Sequence, residues 1–219
     1  AQESTNPPSS HNFKIVVGRD SRTTGKAMLY AIFSGLISTG CEVIDLGIVP
    51  TPTVLLNVKK HSAQGGISIT ASHNPPQWNA MKFVDGDGMF LSPEKASRFI
   101  ESVNAEISWN DWQNMGTVTE DAEAINYHIQ RILSIPYLNI AQIRSKKFKV
   151  VLDSVNGAGG LASPLLLKAL GCEVVEINSE PTGVFAHTPE PLNENLHQLE
   201  ENVKLHNADL GFATDPDVD

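Results

Sequence analysis

The feature that most constrains the fold of this chain is an internal repeat. Lys14-Ile15-Val16-Val17 is matched by Lys149-Val150-Val151-Leu152, and Gly40-Cys41-Glu42-Val43-Ile44 is matched by Gly171-Cys172-Glu173-Val174-Val175 at nearly the same interval. In each half, short apolar runs alternate with longer amphipathic segments, which is the pattern of parallel strands joined by helices. The sequence therefore predicts an α/β fold built from two copies of one three-layer αβα unit, the second of them incomplete.

Strands and helices are predicted to alternate through both copies. The strands are expected at residues 13–17, 42–46, 66–70, 148–152, 173–177 and 209–213. Helices are expected after Thr23 or Thr24, after Pro50 and after Ser92, and at residues 120–134, 157–170 and 193–206. Between Lys82 and Phe90, the turn signal Asp85-Gly86-Asp87-Gly88 indicates an antiparallel hairpin, so the sheets are predicted to be mixed.

Length and composition suit two packed domains. Of the 219 residues, 41% are hydrophobic and 19% are charged, so the chain can bury a core. We divide it into a polar, flexible tail at residues 1–12, a first domain at residues 13–135 and a second domain at residues 136–219. Cys41 and Cys172 each begin an apolar run, which favours buried free thiols and a cytoplasmic location.

Charge and hydropathy exclude two classes of partner. The formal net charge of −9 argues against nucleic acid, because its phosphates are neutralised by clustered Lys and Arg. No segment approaches the run of about 18 to 20 apolar residues that spans a membrane. A small anionic substrate remains compatible, since Arg19, Arg22 and Lys82 lie beside polar loops at predicted strand ends.

Two such loops carry candidate chemistry. Thr70-Ala71-Ser72-His73-Asn74-Pro75 places a serine hydroxyl at the start of a proline-locked turn, and Asp215-Pro216-Asp217-Val218-Asp219 places three carboxylates after the last predicted strand. In α/β units the loops after the carboxyl ends of strands hold the ligand, so both loops are predicted to face one cleft. A hydroxyl that can carry phosphate and a loop that can bind a cation form a chemically sensible pair, although a serine before Asn-Pro is usually only a turn residue.

The acidic loop predicts a site for a hard divalent cation. In an extended loop, carboxylates at alternating positions can point to one side, and Pro216 disfavours a helix at Asp215. An EF-hand calcium loop also begins D-x-D-x-D, but it is entered from a helix and continues to a glycine and a distal glutamate. A strand is predicted before this loop and the chain stops at Asp219, so the calcium loop is disfavoured.

Four motifs together resemble those of the α-D-phosphohexomutases, the family of phosphoglucomutase, phosphomannomutase and phosphoglucosamine mutase. Residues 70–76, followed by Asn79 and Lys82, are similar to the phosphoserine loop. Val17-Gly18-Arg19-Asp20-Ser21-Arg22 is similar to an early strand-end motif, Pro189-Glu190-Pro191 to a loop of the second domain, and residues 215–219 to the metal loop. The matches follow the family's order and cover nearly the whole chain.

The resemblance implies interconversion of hexose 1-phosphate and 6-phosphate through a phosphoserine and a bisphosphorylated sugar. It implies a phosphoryl group on Ser72, acid/base roles for His73 and Lys82, and Mg²⁺ bound by Ser72, Asp215, Asp217 and Asp219. As a general acid, Lys82 needs a pKa lowered from about 10.4. His73 is expected either to contact substrate oxygens or to make a structural hydrogen bond; it is not expected to pair with Ser72, because neighbouring side chains of extended backbone point apart.

Arg22 is expected to bind the phosphoserine or the substrate phosphate, whereas Arg19 and Asp20 are equally explained as a structural ion pair. The sequence also departs from the family. Its opening Gly-Thr-x-Gly-x-Arg-Gly element is absent, Ala80 stands where a glycine often follows the asparagine, and the sugar-recognition and last phosphate-binding loops are missing. We therefore expect an amino-terminal fragment that binds metal weakly and needs the carboxyl-terminal domains of the same enzyme for turnover of its phosphorylated hexose.

Two other classes of function compete with this interpretation. A serine hydrolase is disfavoured, because the sequence has no G-x-S-x-G elbow and no separated Ser/His/acid set. A non-catalytic binding or scaffold domain of the same fold remains the alternative, since it would keep the strands but need neither Ser72 nor the aspartates.

Overall fold

The repeated units form two separate sheets. The computed structural model describes residues 13–219, so the tail at residues 1–12 lies outside the described residues. The first sheet has the order β4-β3-β1-β2-β5 and consists of β1 (Lys14–Arg19), β2 (Glu42–Ile48), β3 (Gly65–Ile69), β4 (Met81–Asp85) and β5 (Val118–Glu120). The second has the order β7-β6-β8 and consists of β6 (Lys149–Asp153), β7 (Glu173–Ile177) and β8 (Leu210–Ala213).

Helices cover both faces of the first sheet and alternate with the strands of the second. They are α1 (Gly25–Ser38), α2 (Thr51–Lys60), α3 (Pro93–Ser102), α4 (Ala124–Leu133), α5 (Ile140–Lys146), α6 (Gly159–Ala169) and α7 (His197–Leu205), the last preceded by a 3-10 turn at Asn193–Asn195. Val16 packs in a core with α2 and α4, whereas Val17 packs in the opposite core with α1, because successive strand side chains point to opposite sides. The predicted αβα layers are confirmed.

Strand direction decides which residues meet at the edge of each sheet. β1 pairs in parallel with β2 and β3, β2 pairs in parallel with β5, and β4 runs antiparallel to β3, which confirms a mixed first sheet. β6 pairs in parallel with both β7 and β8. The turn predicted at residues 85–88 is present, since Gly88 N donates to Asp85 O and Val84 bridges Phe90 in antiparallel fashion.

Four local features differ from the sequence prediction. β5, with three exposed residues, and α5, with seven residues and none buried, were missed because neither carries a clear apolar period. The helix predicted at residues 120–134 begins only at Ala124, because β5 ends at Glu120. Thr24 precedes α1, but its hydroxyl does not cap the helix; it accepts from Asn79 Nδ2 at 3.0 Å.

The two units pack so that their ligand loops approach each other. Ser21 Oγ of the first donates to Asn156 O of the second at 2.7 Å, and Thr51 N donates to Asp217 O at 2.8 Å. Both cysteine thiols are free, as predicted, but they are half-buried rather than fully buried. No helix within residues 13–219 is long and apolar enough to cross a membrane.

Candidate active site

Ser72 lies in the connection between β3 and β4, residues 70–80, which we call the serine loop. β3 lies beside β1, so the loop leaves the sheet next to the end of β1. Ser72 has a φ of 49°, in the left-handed region that costs a non-glycine residue about 1–3 kcal/mol. Its amide donates to Thr70 Oγ1 at 2.9 Å, and that hydroxyl donates to buried Asp20 at 2.8 Å. Hydrogen bonds from the strand end thus hold the serine in a strained conformation.

Arg22 holds the backbone of the serine loop. Its fully buried guanidinium donates to Asp20 Oδ2 at 2.9 Å. Its other N–H groups donate at 2.6, 2.7, 2.9 and 3.0 Å to the carbonyl oxygens of Ser72, Asn74, Pro75 and Trp78. Every N–H of the group has a partner within the protein, so this structure leaves no Arg22 donor free for the phosphate that the sequence predicted it to bind. The ion pair at this strand end joins Asp20 to Arg22 rather than to Arg19.

The acidic loop, residues 214–219, is a turn rather than the extended segment that the sequence suggested. Val218 has a φ of 59°, and its amide donates to Asp215 Oδ1 at 2.8 Å. The carboxylates of Asp215, Asp217 and Asp219 converge because the chain reverses, and one oxygen from each lies within 4.8 Å of the others. A strand, β8, precedes this loop, which agrees with a site other than an EF-hand.

The serine loop and the acidic loop meet in one cleft, as predicted. Ser72 Oγ donates to Asp215 Oδ2 at 2.8 Å, and it lies 3.4 Å from Asp219 Oδ1. Both loops line a cavity of about 350 Å³, together with Pro191 of the motif at residues 189–191. The contact joins residues 143 positions apart, so only the packing of the two units creates it.

Asp217 is the most buried acid of the cluster. Its Oδ2 accepts from Thr51 Oγ1, at the amino-terminal end of α2, at 2.7 Å. The same oxygen accepts from Lys82 Nζ of β4 at 2.9 Å. Burial opposes the charge of Asp217, but the hydrogen bonds from Thr51 and Lys82 outweigh burial and lower its pKa. Burial, and next the charge of Asp217, raise the pKa of Asp215 to about 6.

These residues fit a divalent cation. Within the part of the chain that the structure describes, Asp217 Oδ1 is buried and has no hydrogen-bond partner, which is costly for a carboxylate oxygen. The pKa of Asp215 is raised first by burial and next by the charge of Asp217, so the cluster holds more negative charge than its surroundings offset. A cation held by oxygens of Asp215, Asp217 and Asp219 would satisfy the unpaired oxygen and offset the charge.

Lys82 reaches the site because β4 runs antiparallel to β3. Its partner in the register is Ser68, so Lys82 lies at the edge of the sheet where the serine loop begins. Its ammonium pairs with both Asp217 and Asp219. Burial lowers the pKa of Lys82, but the hydrogen bonds to Asp219 and Asp217 outweigh burial, so its pKa is raised. This direction is opposite to the lowering that a general acid needs, because Asp217 and Asp219 favour the charged form of Lys82.

His73 lies exposed at the mouth of the cavity. Its Nδ1 is 3.4 Å from Ser72 Oγ, which is long for a hydrogen bond. Neighbouring side chains point apart only where the backbone is extended, and the positive φ of Ser72 turns the backbone away from that conformation. His73 thus lies next to the serine hydroxyl.

Sequence reasoning missed three threonines of the site. Thr70 and Thr214 each follow the third strand of their own unit and begin a ligand loop, so the repeat carried a signal that could have found them. Thr51 carried no local signal, because its contact with Asp217 joins residues 166 positions apart.

Comparison with known proteins covers nearly the whole chain. Residues 4–109 match the family model described as "Phosphoglucomutase/phosphomannomutase, alpha/beta/alpha domain I". Residues 126–219 match the model of domain II of the same family. The two matches follow each other in the order of the two sheets.

Relatives and solved structures agree with these matches. A "Probable phosphoglucosamine mutase" of Methanopyrus kandleri is 38% identical over 206 residues, and a "Phosphoglucomutase/phosphomannomutase" of Thermococcus kodakarensis is 40% identical over 212 residues. Both alignments cover 94% of this chain, but they cover only 44% and 45% of the relatives. The structure of a putative phosphomannomutase from Thermus thermophilus matches with a TM-score of 0.82 at 28% identity, over 95% of this chain and 47% of that one.

Proposed function

Because this chain belongs to the phosphoglucomutase/phosphomannomutase family, we propose that it is the amino-terminal part of a magnesium-dependent phosphohexomutase. Such an enzyme interconverts a hexose 1-phosphate and the corresponding 6-phosphate. Ser72 carries the phosphoryl group between the two positions of the sugar, which passes through a 1,6-bisphosphate.

One observation supports this proposal more than any other: the serine hydroxyl lies against a cation-binding cluster from the second unit. Ser72 Oγ is 2.8 Å from Asp215 Oδ2, and the same cluster contains the unpaired Oδ1 of Asp217 among the described residues. A scaffold domain needs neither the strained serine nor the crowded acids. A serine hydrolase would typically need a histidine base that is oriented by a third group, whereas His73 Nδ1 lies 3.4 Å from Ser72 Oγ and the hydroxyl donates to Asp215 instead.

The magnesium ion would be held by Asp215, Asp217, Asp219 and an oxygen on Ser72, and when bound it stabilises the negative charge of the transferring phosphoryl group. A phosphoserine adds about −1.5 to −2 charge. Lys82 already pairs with two of the three acids, so it reduces the negative charge that this phosphoryl group meets.

Each transfer exchanges one phosphorus–oxygen bond for another. In the first, the bond from phosphorus to Ser72 Oγ breaks as a sugar hydroxyl oxygen bonds to phosphorus. The hydroxyl proton passes to His73, and Ser72 Oγ takes a proton from Lys82. This step needs a lower Lys82 pKa, which a cation that takes over the charges of Asp217 and Asp219 would bring about. In the second transfer, Ser72 Oγ takes the other phosphoryl group of the bisphosphate, and the protons move in the reverse direction.

The chain by itself is proposed to lack turnover. It spans less than half the length of the relatives described above, so the groups that read the sugar are proposed to lie in the carboxyl-terminal domains. The proposed substrate class is a phosphorylated hexose, and a cytoplasmic location remains a prediction.

The decisive experiment follows the phosphoryl group in the full-length enzyme. Incubation with a hexose 1,6-bisphosphate, followed by peptide mass spectrometry, is expected to place one phosphoryl group on Ser72. Ser72→Ala is expected to lose that label and all measurable turnover while keeping the circular dichroism spectrum, whereas the exposed control Ser145→Ala keeps both. Turnover by Ser72→Ala would refute the assigned role, and an unlabelled wild type would favour the scaffold.

A further inference from the structure

The serine loop is organised by one side chain that does not line the cavity. Arg22 is fully buried, and it donates to the carbonyl oxygens of Ser72, Asn74, Pro75 and Trp78. These carbonyls lie on a segment with exposed side chains and little other packing, since residues 73–78 are all exposed. The conformation of the segment therefore depends on its backbone hydrogen bonds more than on side-chain burial.

The second unit covers the arginine. Phe185 lies with its ring 5.0 Å from the Arg22 guanidinium carbon, within the range of a cation–π contact. The neighbouring Gly183 packs so closely that an added Cβ would lie 2.1 Å from Ser21 O, on the backbone just before Arg22. Asn156 of the second unit holds both sides of this contact. Its Nδ2 donates to Val184 O at 2.9 Å, beside Phe185, and its carbonyl oxygen accepts from Ser21 Oγ at 2.7 Å, beside Arg22.

We propose that Arg22 and Phe185 form an interdomain positioning pair that sets the conformation of the serine loop. Arg22 fixes the carbonyl groups on either side of Ser72, and Phe185 fixes the plane of the guanidinium. Docking of the second unit then aligns the serine at the same time as it delivers the acidic loop. This inference rests on the proposed function, because the loop matters to catalysis only if Ser72 carries the phosphoryl group.

The chemistry of the pair requires arginine. A guanidinium is a flat fork whose N–H groups point in fixed directions, so it can hold several carbonyls at once. Lysine at this position would keep the charge and the ion pair with Asp20, but its ammonium has fewer donors and no plane to stack on Phe185. Arg22→Lys therefore keeps the positive charge but removes the fixed directions of the five N–H donors, so it tests whether those directions matter.

The test uses the full-length enzyme and counts active sites by phosphoryl incorporation. Arg22→Lys is expected to lower kcat per active site by about 100-fold, the cost of misplacing a reacting group by about 1 Å, with KM for the hexose phosphate within about twofold. Phe185→Ala is expected to lower kcat by roughly three- to tenfold. The matched controls are Val184→Ala, at an exposed neighbour in the same loop, and Arg131→Lys, at an exposed arginine of α4; both should keep wild-type kcat.

A second measurement reads the loop without using activity. Hydrogen exchange of the amides at residues 72–78 should become faster in both variants and stay unchanged in the controls. In the double variant, the loss of kcat should equal that of Arg22→Lys alone, because both residues act through one structure.

Two results would contradict the proposal that Arg22 and Phe185 position the serine loop. Unchanged exchange at residues 72–78, or full kcat per active site with only a lower melting temperature, would reduce Arg22 to a purely structural residue. If Arg22→Lys does not fold, the Phe185→Ala result decides alone. Failure of the proposed function would look different: Ser72→Ala would retain turnover while exchange in the Arg22 and Phe185 variants still increased.

Discussion

The serine loop and the acidic loop occupy equivalent places in the two units, but they differ in hydrogen bonding. Among the described residues of these two loops, only the acidic loop contains buried side-chain oxygens without a partner. Each follows the third strand of its unit and begins with a threonine. Thr70 Oγ1 donates to Asp20 and accepts from Ser72 N, whereas Thr214 Oγ1, within the described residues, is buried without a hydrogen-bond partner. The same contrast continues beyond the threonines. Arg22 donates to four carbonyl oxygens of the serine loop, whereas Oδ1 of Asp217 has no partner within the described residues.

Under the proposed function, this difference separates a loop that presents a nucleophile from a loop that receives an ion. A nucleophile must be held in position before its substrate arrives, so its loop is closed by hydrogen bonds within the protein. An ion site must leave oxygens for the ion, so its loop stays incomplete until the ligand binds. The strain of a positive φ is present in both loops, at Ser72 and at Val218, but only the serine loop has a buried arginine to hold it.

The largest expected effect tests whether magnesium acts on one loop alone. In the unphosphorylated protein, Mg²⁺ at about 100 times its dissociation constant should slow hydrogen exchange at residues 214–219 by roughly 100-fold, because it binds only the ordered loop. Exchange at residues 70–78 should slow by no more than about twofold, because Arg22 already holds this loop before Ser72 supplies one oxygen to the ion. Asp217→Asn removes a buried ligand and should weaken Mg²⁺ binding by at least about 100-fold in calorimetric titration.

The control for this prediction is Glu201→Gln, which removes an exposed carboxylate on α7 that is not part of the acidic cluster. It should leave the magnesium affinity unchanged. Equal slowing of exchange in both loops would contradict the comparison, since it would mean that the serine loop is also completed by the ion.

The second prediction compares the two threonines directly. Thr70→Val removes a hydroxyl that bonds both a carboxylate and an amide, and should lower the free energy of unfolding by about 2–3 kcal/mol. Thr214→Val removes a hydroxyl without a partner in the described structure, and should change it by less than about 0.5 kcal/mol. Urea unfolding without magnesium measures both. Similar costs for the two variants would show that the loops are equally complete.

The sequence predicted the parts of the molecule that local pattern determines. Apolar runs with short turns predicted β1, β2, β3, β6, β7 and β8, and the repeat predicted that the two loops face one cleft. It missed β5 and α5, whose few residues bury little. Their position is decided by tertiary contacts, which outweigh the local pattern of such short elements.

Within the candidate site, residue identity was more predictable than conformation. Ser72, Lys82 and the aspartates were named from motifs, but the positive φ values of Ser72 and Val218 were not, because serine and valine rarely adopt them. The hydrogen bonds of Arg22 to the serine loop were not predicted, because the carbonyl groups that it contacts lie fifty or more positions away in sequence. The raised pKa of Lys82 likewise depends on acids that only the packed units bring together.

The smallest expected effect concerns how each loop rests on the helix of its unit. An added Cβ at Gly157, just before α6, would lie 2.7 Å from Pro216 Cα and 2.8 Å from Pro216 O, so the acidic loop must shift. Gly157→Ala should therefore lower the free energy of unfolding by about 1–2 kcal/mol and the magnesium affinity by roughly tenfold. Its φ is not positive, so the cost comes from this contact rather than from backbone strain.

Gly25, the first residue of α1, is the comparison position in the first unit, because Asn79 of the serine loop lies beside it. An added Cβ there would meet Arg19 Cδ at 3.4 Å and Asn79 Nδ2 at 3.8 Å, which are ordinary contacts. Gly25→Ala should change the unfolding free energy by less than about 1 kcal/mol and leave magnesium binding unchanged. A Gly25→Ala cost as large as that of Gly157→Ala would show that the serine loop also depends on close helix packing, and that Arg22 is not sufficient to hold it.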